Sequence, residues 1–300
     1  MAASMAAFTF NDAFMKSVAD EMGLYQALFI RGVASTLLMI AMAAATGALR
    51  LRIPRRDRMM ILWRTIAEVA AAYFFLTALF NMPIANASAI MQALPLTVTL
   101  AGAVFLGEAV GWRRMSAILV GFAGVMLIVR PGAEGFTVYS IYVVCAVICV
   151  TARDLTARAV SSETSSMTVA IAASFGVWVF SAFGLIGEEW QPVGTGAFLS
   201  LMGASVMIIG GYFFSTATMR VGEIAVIAPF RYTSLLWSLL LGLVFFGEWP
   251  DLLTLLGGAI VVATGIFTFH RERKLALEEA AITKAGPHSQ ASVDNPRDSL

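Results

Sequence analysis

The sequence predicts an all-α integral membrane protein in which ten transmembrane helices form two inverted five-helix repeats. Three observations lead there. Of 300 residues, 59% are hydrophobic and 13% are charged, about half the charged share of a soluble domain, which is roughly 25%. Such a chain cannot cover its apolar residues with polar surface, so the bilayer is its natural solvent. Next, the apolar residues gather into consecutive segments near the length of about 20 residues that crosses a hydrocarbon core. Finally, "VFLGE" at Val104 to Glu108 returns as "VFFGE" at Val244 to Glu248, 140 positions later.

The spans follow one another with little soluble mass between them. The first, 2–19, is short and contains Asp12; it lacks the basic n-region and cleavage site of a signal peptide and so counts as a span. The second, 23–47, contains Arg31 and stops at a loop with Arg50, Arg52, Arg55, Arg56 and Arg58. The third, 59–80, holds Arg64, Glu68 and Tyr73, and the fourth, 83–106, holds Asn86, Gln92 and Pro95. Arg113 and Arg114 introduce the fifth, 114–130, with Gly121 and Gly124. The sixth, 138–157, contains Arg153 and Asp154, and the seventh, 166–187, has no charge before its end. The eighth, 197–219, carries Tyr212 and ends beside Arg220. The ninth, 222–246, holds Pro229, Arg231, Tyr232 and Trp237, and the tenth, 252–270, ends at Arg271, Arg273 and Lys274. Residues 271–300 are polar and charged, which predicts a disordered cytoplasmic tail.

Lys and Arg in short loops set orientation. With a cytoplasmic N-terminus, the arginine-bearing loops all fall inside and the outer side keeps little beyond Lys16 and Arg130, which puts both termini in the cytoplasm.

Sliding one half over the other extends the match. "YFFLTA" at Tyr73 to Ala78 meets "YFFSTA" at Tyr212 to Ala217, and Asp12, Lys16 and Glu21 align with Asp154, Arg158 and Glu163. The repeats are 1–134 and 135–270. Five is odd, so the second copy starts from the opposite face and Glu108 and Glu248 lie on opposite sides of the membrane. Inverted repeats are an architecture of secondary transporters, with the cargo site at their interface; a duplicated scaffold without transport is the alternative.

The paired halves, with "LGEAVGWRRMSAILVGFAGVMLIVRPG" and "FFGEWPDLLTLLGGAIVVATGI", resemble the EamA-type members of the drug/metabolite transporter superfamily over residues 1 to 270. Within it, "FTFNDAFMKSVADEMGLYQALFIRG" is similar to the branch with bacterial S-adenosylmethionine and riboflavin transporters. The resemblance implies a multi-pass carrier of the bacterial inner membrane for small polar or zwitterionic metabolites. It also implies a carrier driven by gradients or exchange, and no P-loop appears in the sequence. A metabolite or drug exporter of the same fold is the runner-up.

Ionisable residues inside a membrane cost about 2.5 to 3.5 kcal/mol on insertion scales and so usually face a cavity or a partner. The candidates for contact with cargo are Arg231, Asp12, Arg64, Glu68, Tyr73, Gln92, Tyr212, Tyr232 and Trp237. Structural or gating roles fall to Arg31, Glu108, Arg153, Asp154, Glu248, Pro95 and Pro229. Arg64 and Glu68 share a helix face and could simply pair with each other. Arg153 and Asp154 point roughly 100° apart on a helix, so the adjacent pair is not expected to share one partner, and it could snorkel to the interface. Arg231 lies beside Pro229, which bends a helix; it suits an anionic or carbonyl-rich cargo, or else pairs with an acid of span 1 or 3. The aromatics suit a flat ring or a cation, or serve packing. Glu108 and Glu248 are expected to cap helix ends or pair with loop arginines.

Other classes find little support. With 20 Lys+Arg against 19 Asp+Glu there is no basic field for nucleic acid. Cys145 and Cys149 read as two small buried residues, and neither a metal site nor a cofactor is expected. An enzyme would need a nucleophile with its base, or a metal cluster, and a channel a pore loop or charged ring; neither pattern is present. The expected partners are a small-molecule cargo and the lipid bilayer, with a homodimer compatible with both.

Overall fold

A computed structural model describes residues 1–47, 53–107, 111–131, 137–158, 160–161, 164–221 and 228–284. The described chain is helical: α1 (Ala2–Lys16), α2 (Leu24–Ala45), α3 (Arg55–Asn81), α4 (Ile84–Met91), α5 (Leu94–Leu106), α6 (Trp112–Val129), α7 (Val138–Arg158), α8 (Ser166–Gly184) and α9 (Thr195–Val221). A short 3₁₀ helix, Ala228–Tyr232, then precedes α10 (Thr233–Phe246) and α11 (Leu252–Lys284). Among the described residues, eight stretches are long and apolar enough to cross a membrane, with α4 and α5 counted as one, and Phe230–Phe246 is a shorter apolar helix. With 15 residues α1 rises only about 22 Å, so it completes the set of ten as a short member. Leu37, Ile66, Leu119, Phe198, Leu236 and Leu256 are exposed on the outside of the bundle, where lipid tails meet them.

Two spans are interrupted, at matching places. The fourth breaks at Gln92–Ala93, between α4 and α5, with Pro95 in the first turn of α5. Proline lacks an N–H and its ring crowds the carbonyl four residues back, which here belongs to Met91, the last residue of α4. In the ninth span the 3₁₀ helix gives way to α10 at Tyr232, the repeat counterpart of Gln92. The breaks touch: Gln92 Nε2 donates to the Tyr232 carbonyl at 3.3 Å and to Ser234 Oγ at 3.0 Å.

The inversion is visible wherever counterpart helices meet. α2 and α8 are counterparts, and Phe29 packs on Trp178 while Ser35, further along α2, meets Ser174, earlier on α8, at 3.0 Å. They run antiparallel. The same holds for α6 and α11, where an added Cβ on Gly121 would meet Thr264 and one on Gly124 would meet Gly257. Backbones nearly touch at that second crossing, since a Cβ on Gly257 would stand 2.6 Å from the Gly124 carbonyl. Small residues allow such approach where no hydrophobic force drives helices together. The remaining interfaces come in pairs as well: α3 on α7 mirrors α9 on α1, and α3 on α8 mirrors α9 on α2.

The tail departs from expectation. α11 continues through residues 271–284, to Lys284, where "LALEEAAITK" is rich in Ala, Leu, Glu and Lys, strong helix formers whatever their polarity. Residues 285–300 lie outside the described part.

Candidate functional site

The interrupted and neighbouring helices bring seven intramembrane charges into one network. On α7, Arg153 Nη1 reaches Glu68 of α3 at 3.2 Å, while its Nη2 pairs with the adjacent Asp154 at 2.9 Å. The two were expected to point apart. Cβ directions diverge by about 100°, but the long arginine stem folds back onto its neighbour, so Arg153 bridges both acids and does not snorkel. Tyr212 of α9 donates to the same Glu68 oxygen at 3.4 Å.

Arg64 loses that competition. Its Nη2 stands 3.9 Å from Glu68, the outer limit of an ion pair, and its Nε and Nη1 are buried without a hydrogen-bond partner. The expected pair within one turn is therefore weak, because an arginine from the other repeat holds the carboxylate.

On the other flank, Arg31 of α2 is buried and donates to Asn11 Oδ1 at 3.2 Å, and Asn11 Nδ2 donates to Asp12 at 2.9 Å. Arg31 also interacts electrostatically with Glu68 and Tyr212, which joins α1 and α2 to the α3–α7–α9 network. Arg231, in the 3₁₀ helix, lies within electrostatic range of Asp154 and Arg153; its carbonyl accepts from Ser234 Oγ at 3.0 Å, while its guanidinium makes no hydrogen bond or ion pair among the described residues. Four arginines thus face three carboxylates, and both repeats contribute.

Other expected residues go elsewhere. Tyr232 is buried with its hydroxyl against Gly265 of α11, where a Cβ would come 1.6 Å from it. Trp237 lies 6.5 Å from Phe10 across the α1–α10 contact. Gln92 serves the junction of the two breaks. Tyr73 lines a separate apolar cavity of about 620 Å³ with Tyr25, Thr65, Phe74, Gly176 and Phe180. The Tyr25 and Tyr73 rings are nearly parallel, at 19° and 6.3 Å between centroids. Glu108 lies outside the described residues, as does the side chain of Pro229.

At one end of the bundle α1, the C-terminal end of α3 and the segment after α10 are tied together. Lys16, the last residue of α1, pairs with Glu248 Oε1 at 3.0 Å and donates to the carbonyls of Met82 at 2.6 Å and Leu79 at 3.3 Å. Glu248 Oε2 accepts the N–H of Ile84 at 3.1 Å, so this acid does cap a helix, α4, but its cation is Lys16 and not a loop arginine. At the opposite end of α3, Asp57 accepts from Ser161 Oγ at 2.6 Å and from Thr164 Oγ1. Asn11 and Asp57 were not singled out in the sequence, and Lys16 was named there without being counted among the site residues. The alignment of Lys16 with Arg158 was the available signal, but it named no partner.

A ten-span bundle of inverted repeats around a shared charged centre defines a membrane carrier. Residues 1–130 match the EamA-like transporter family. The riboflavin transporter of Vibrio cholerae is 30% identical over 223 residues, 74% of each chain. The S-adenosylmethionine uptake transporter of Rickettsia conorii is 24% identical over 280 residues, 90% of this chain and 91% of that one. The pseudopaline exporter CntI of Pseudomonas aeruginosa is 25% identical over 277 residues, 88% and 93% of the two chains. A solved crystal structure superposes with a TM-score of 0.62 over 91% of this chain and 98% of its own, at 19% identity. The chain belongs to the EamA-like transporter family.

Proposed function

We propose that the protein is a secondary transporter that moves a small polar or zwitterionic organic metabolite across the bacterial inner membrane by alternating access. The observation that carries this reading is the network of Arg31, Arg64, Arg153 and Arg231 with Asp12, Glu68 and Asp154, contributed by both repeats where charge is expensive. Residues 1–134 and 135–270 act as the two modules that rock about it, and the arginine-rich loops support a cytoplasmic position for both termini. Relatives that take up S-adenosylmethionine and carry riboflavin support a metabolite cargo. The exporter among them supports efflux by the same geometry as a second reading.

Within this reading Arg231, Arg64, Asp12, Glu68 and Tyr212 meet the cargo, and Arg31, Arg153 and Asp154 hold them in place. Lys16 with Glu248 closes one end. The charged centre is built within one chain, so a homodimer would hold two separate pathways. Counterflow in proteoliposomes tests the proposal. Saturable uptake stimulated by unlabelled cargo on the far side supports it, and flux that neither saturates nor responds to that cargo refutes it.

A further inference from the structure

Resting on the carrier reading, we infer that the cargo presents a carboxylate to Arg64. Three features of the charged centre converge on this. The Arg64 guanidinium has two buried nitrogens, Nε and Nη1, with no hydrogen-bond partner and a third 3.9 Å from Glu68. Its one candidate partner is already engaged, since Glu68 accepts Arg153 at 3.2 Å and 3.4 Å and Tyr212 at 3.4 Å. And the charge does not balance: with the three acids ionised, four arginines leave a net of +1 among the described residues of the network.

A buried cation stripped of water and left without a counter-charge is costly, and so is each unmade hydrogen bond to it. One monoanionic group removes both costs. A carboxylate carries that single charge and matches the planar fork of the guanidinium with two parallel bonds. Two of the Arg64 nitrogens are covered in this conformation, although the side chain is partly exposed. Its flexible stem, or separation of α3 from α7, must expose them, and alternating access supplies such a motion.

The position also bears on what else the cargo carries. Thr65 and Val69, neighbours of Arg64 and Glu68 on α3, line the cavity shared with Tyr25, Tyr73, Phe74 and Phe180. A carboxylate on Arg64 places the rest of a small molecule within one helical turn of an aromatic wall.

The test uses pairs of probes that differ only in charge: phenylacetate with phenylacetamide, and phenylalanine with phenylalaninamide. Thermal unfolding of the purified protein is followed against each, since a ligand of the folded state raises the midpoint with concentration. The carboxylates are expected to stabilise the wild type and the amides to bind about tenfold more weakly or worse, the loss of one charge-assisted hydrogen bond. Arg64→Gln should abolish the difference, and Arg64→Lys, which keeps the charge and covers the case of a Gln variant that does not fold, should retain part of it. Equal stabilisation by acid and amide, no stabilisation by either acid, or an Arg64→Gln protein that still prefers the acid would each overturn the inference. Counterflow separates this from the carrier reading. Acid-selective binding without counterflow leaves the inference standing while the transport proposal fails, and counterflow by acid and amide alike does the reverse.

Discussion

Lys16→Met removes the cation that ties one end of the bundle while keeping the length of the stem. In the wild type its ammonium spans three elements, pairing with Glu248 at 3.0 Å and bonding the Met82 carbonyl at 2.6 Å. The two side chains are only 11% and 23% exposed, so the pair is screened far less than a surface bridge. Removing one partner of a buried pair costs about 3 to 5 kcal/mol; taking the low end, because Glu248 keeps the Ile84 N–H, the closed end loses about 3 kcal/mol. At about 1.4 kcal/mol per factor of ten, the ratio of open to closed at that end rises by about two orders of magnitude. A single cysteine at Phe80, in a background without Cys145 and Cys149, reports the opening through maleimide labelling of protein in detergent, where both ends are accessible. Labelling should accelerate about a hundredfold in Lys16→Met, and the exchange Lys16→Glu with Glu248→Lys should restore part of the protection. A Lys16→Met protein labelled at the wild-type rate, with its fold intact, would refute the assignment of this pair as a closure.

Arg231→Ala is expected to insert normally and lose transport, measured as counterflow per inserted molecule; unchanged flux removes Arg231 from the pathway. Gly257→Val should lower the unfolding midpoint by several degrees, since its Cβ meets the Gly124 carbonyl at 2.6 Å and neither backbone can yield, at a cost of about 1 to 3 kcal/mol. Asp251, outside the spans, is held down to about 2 from an ordinary 3.8 by a hydrogen bond from Arg130. A carboxylate with a lowered value stabilises the fold above its unfolded value and loses that contribution as pH falls through the folded one. The midpoint difference between wild type and Asp251→Asn should therefore be constant near neutrality, shrink below about pH 4 and vanish by about pH 1; a difference undiminished at pH 2 would show that the charge is not its source.

The spans and their inversion were legible because the bilayer imposes a length and composition that each helix satisfies by itself, and because the duplication left both Leu-Gly-Glu and Phe-Gly-Glu phrases readable. Pro95 marked the interruption of the fourth span for a local steric reason. Partner choice was not legible. Glu68 faces Arg64 one turn away, and only the approach of α7 reveals that Arg153 takes it. Tyr232 and Trp237 have the chemistry of cargo contacts, yet α11 and α1 claim their rings. Lys16 and Glu248 lie at opposite ends of the numbering, and no helical period connects them. The helix beyond residue 270 was missed because polarity was weighed over the intrinsic preference of its residues.

The grip of Gln92 on Tyr232 and Ser234 has a mechanical corollary. The two breaks are clasped to each other across the repeats, so bending at either one strains the hydrogen bonds that hold the other. In a carrier that rocks, such a clasp makes the inverted copies move together, much as a seesaw cannot lift both ends.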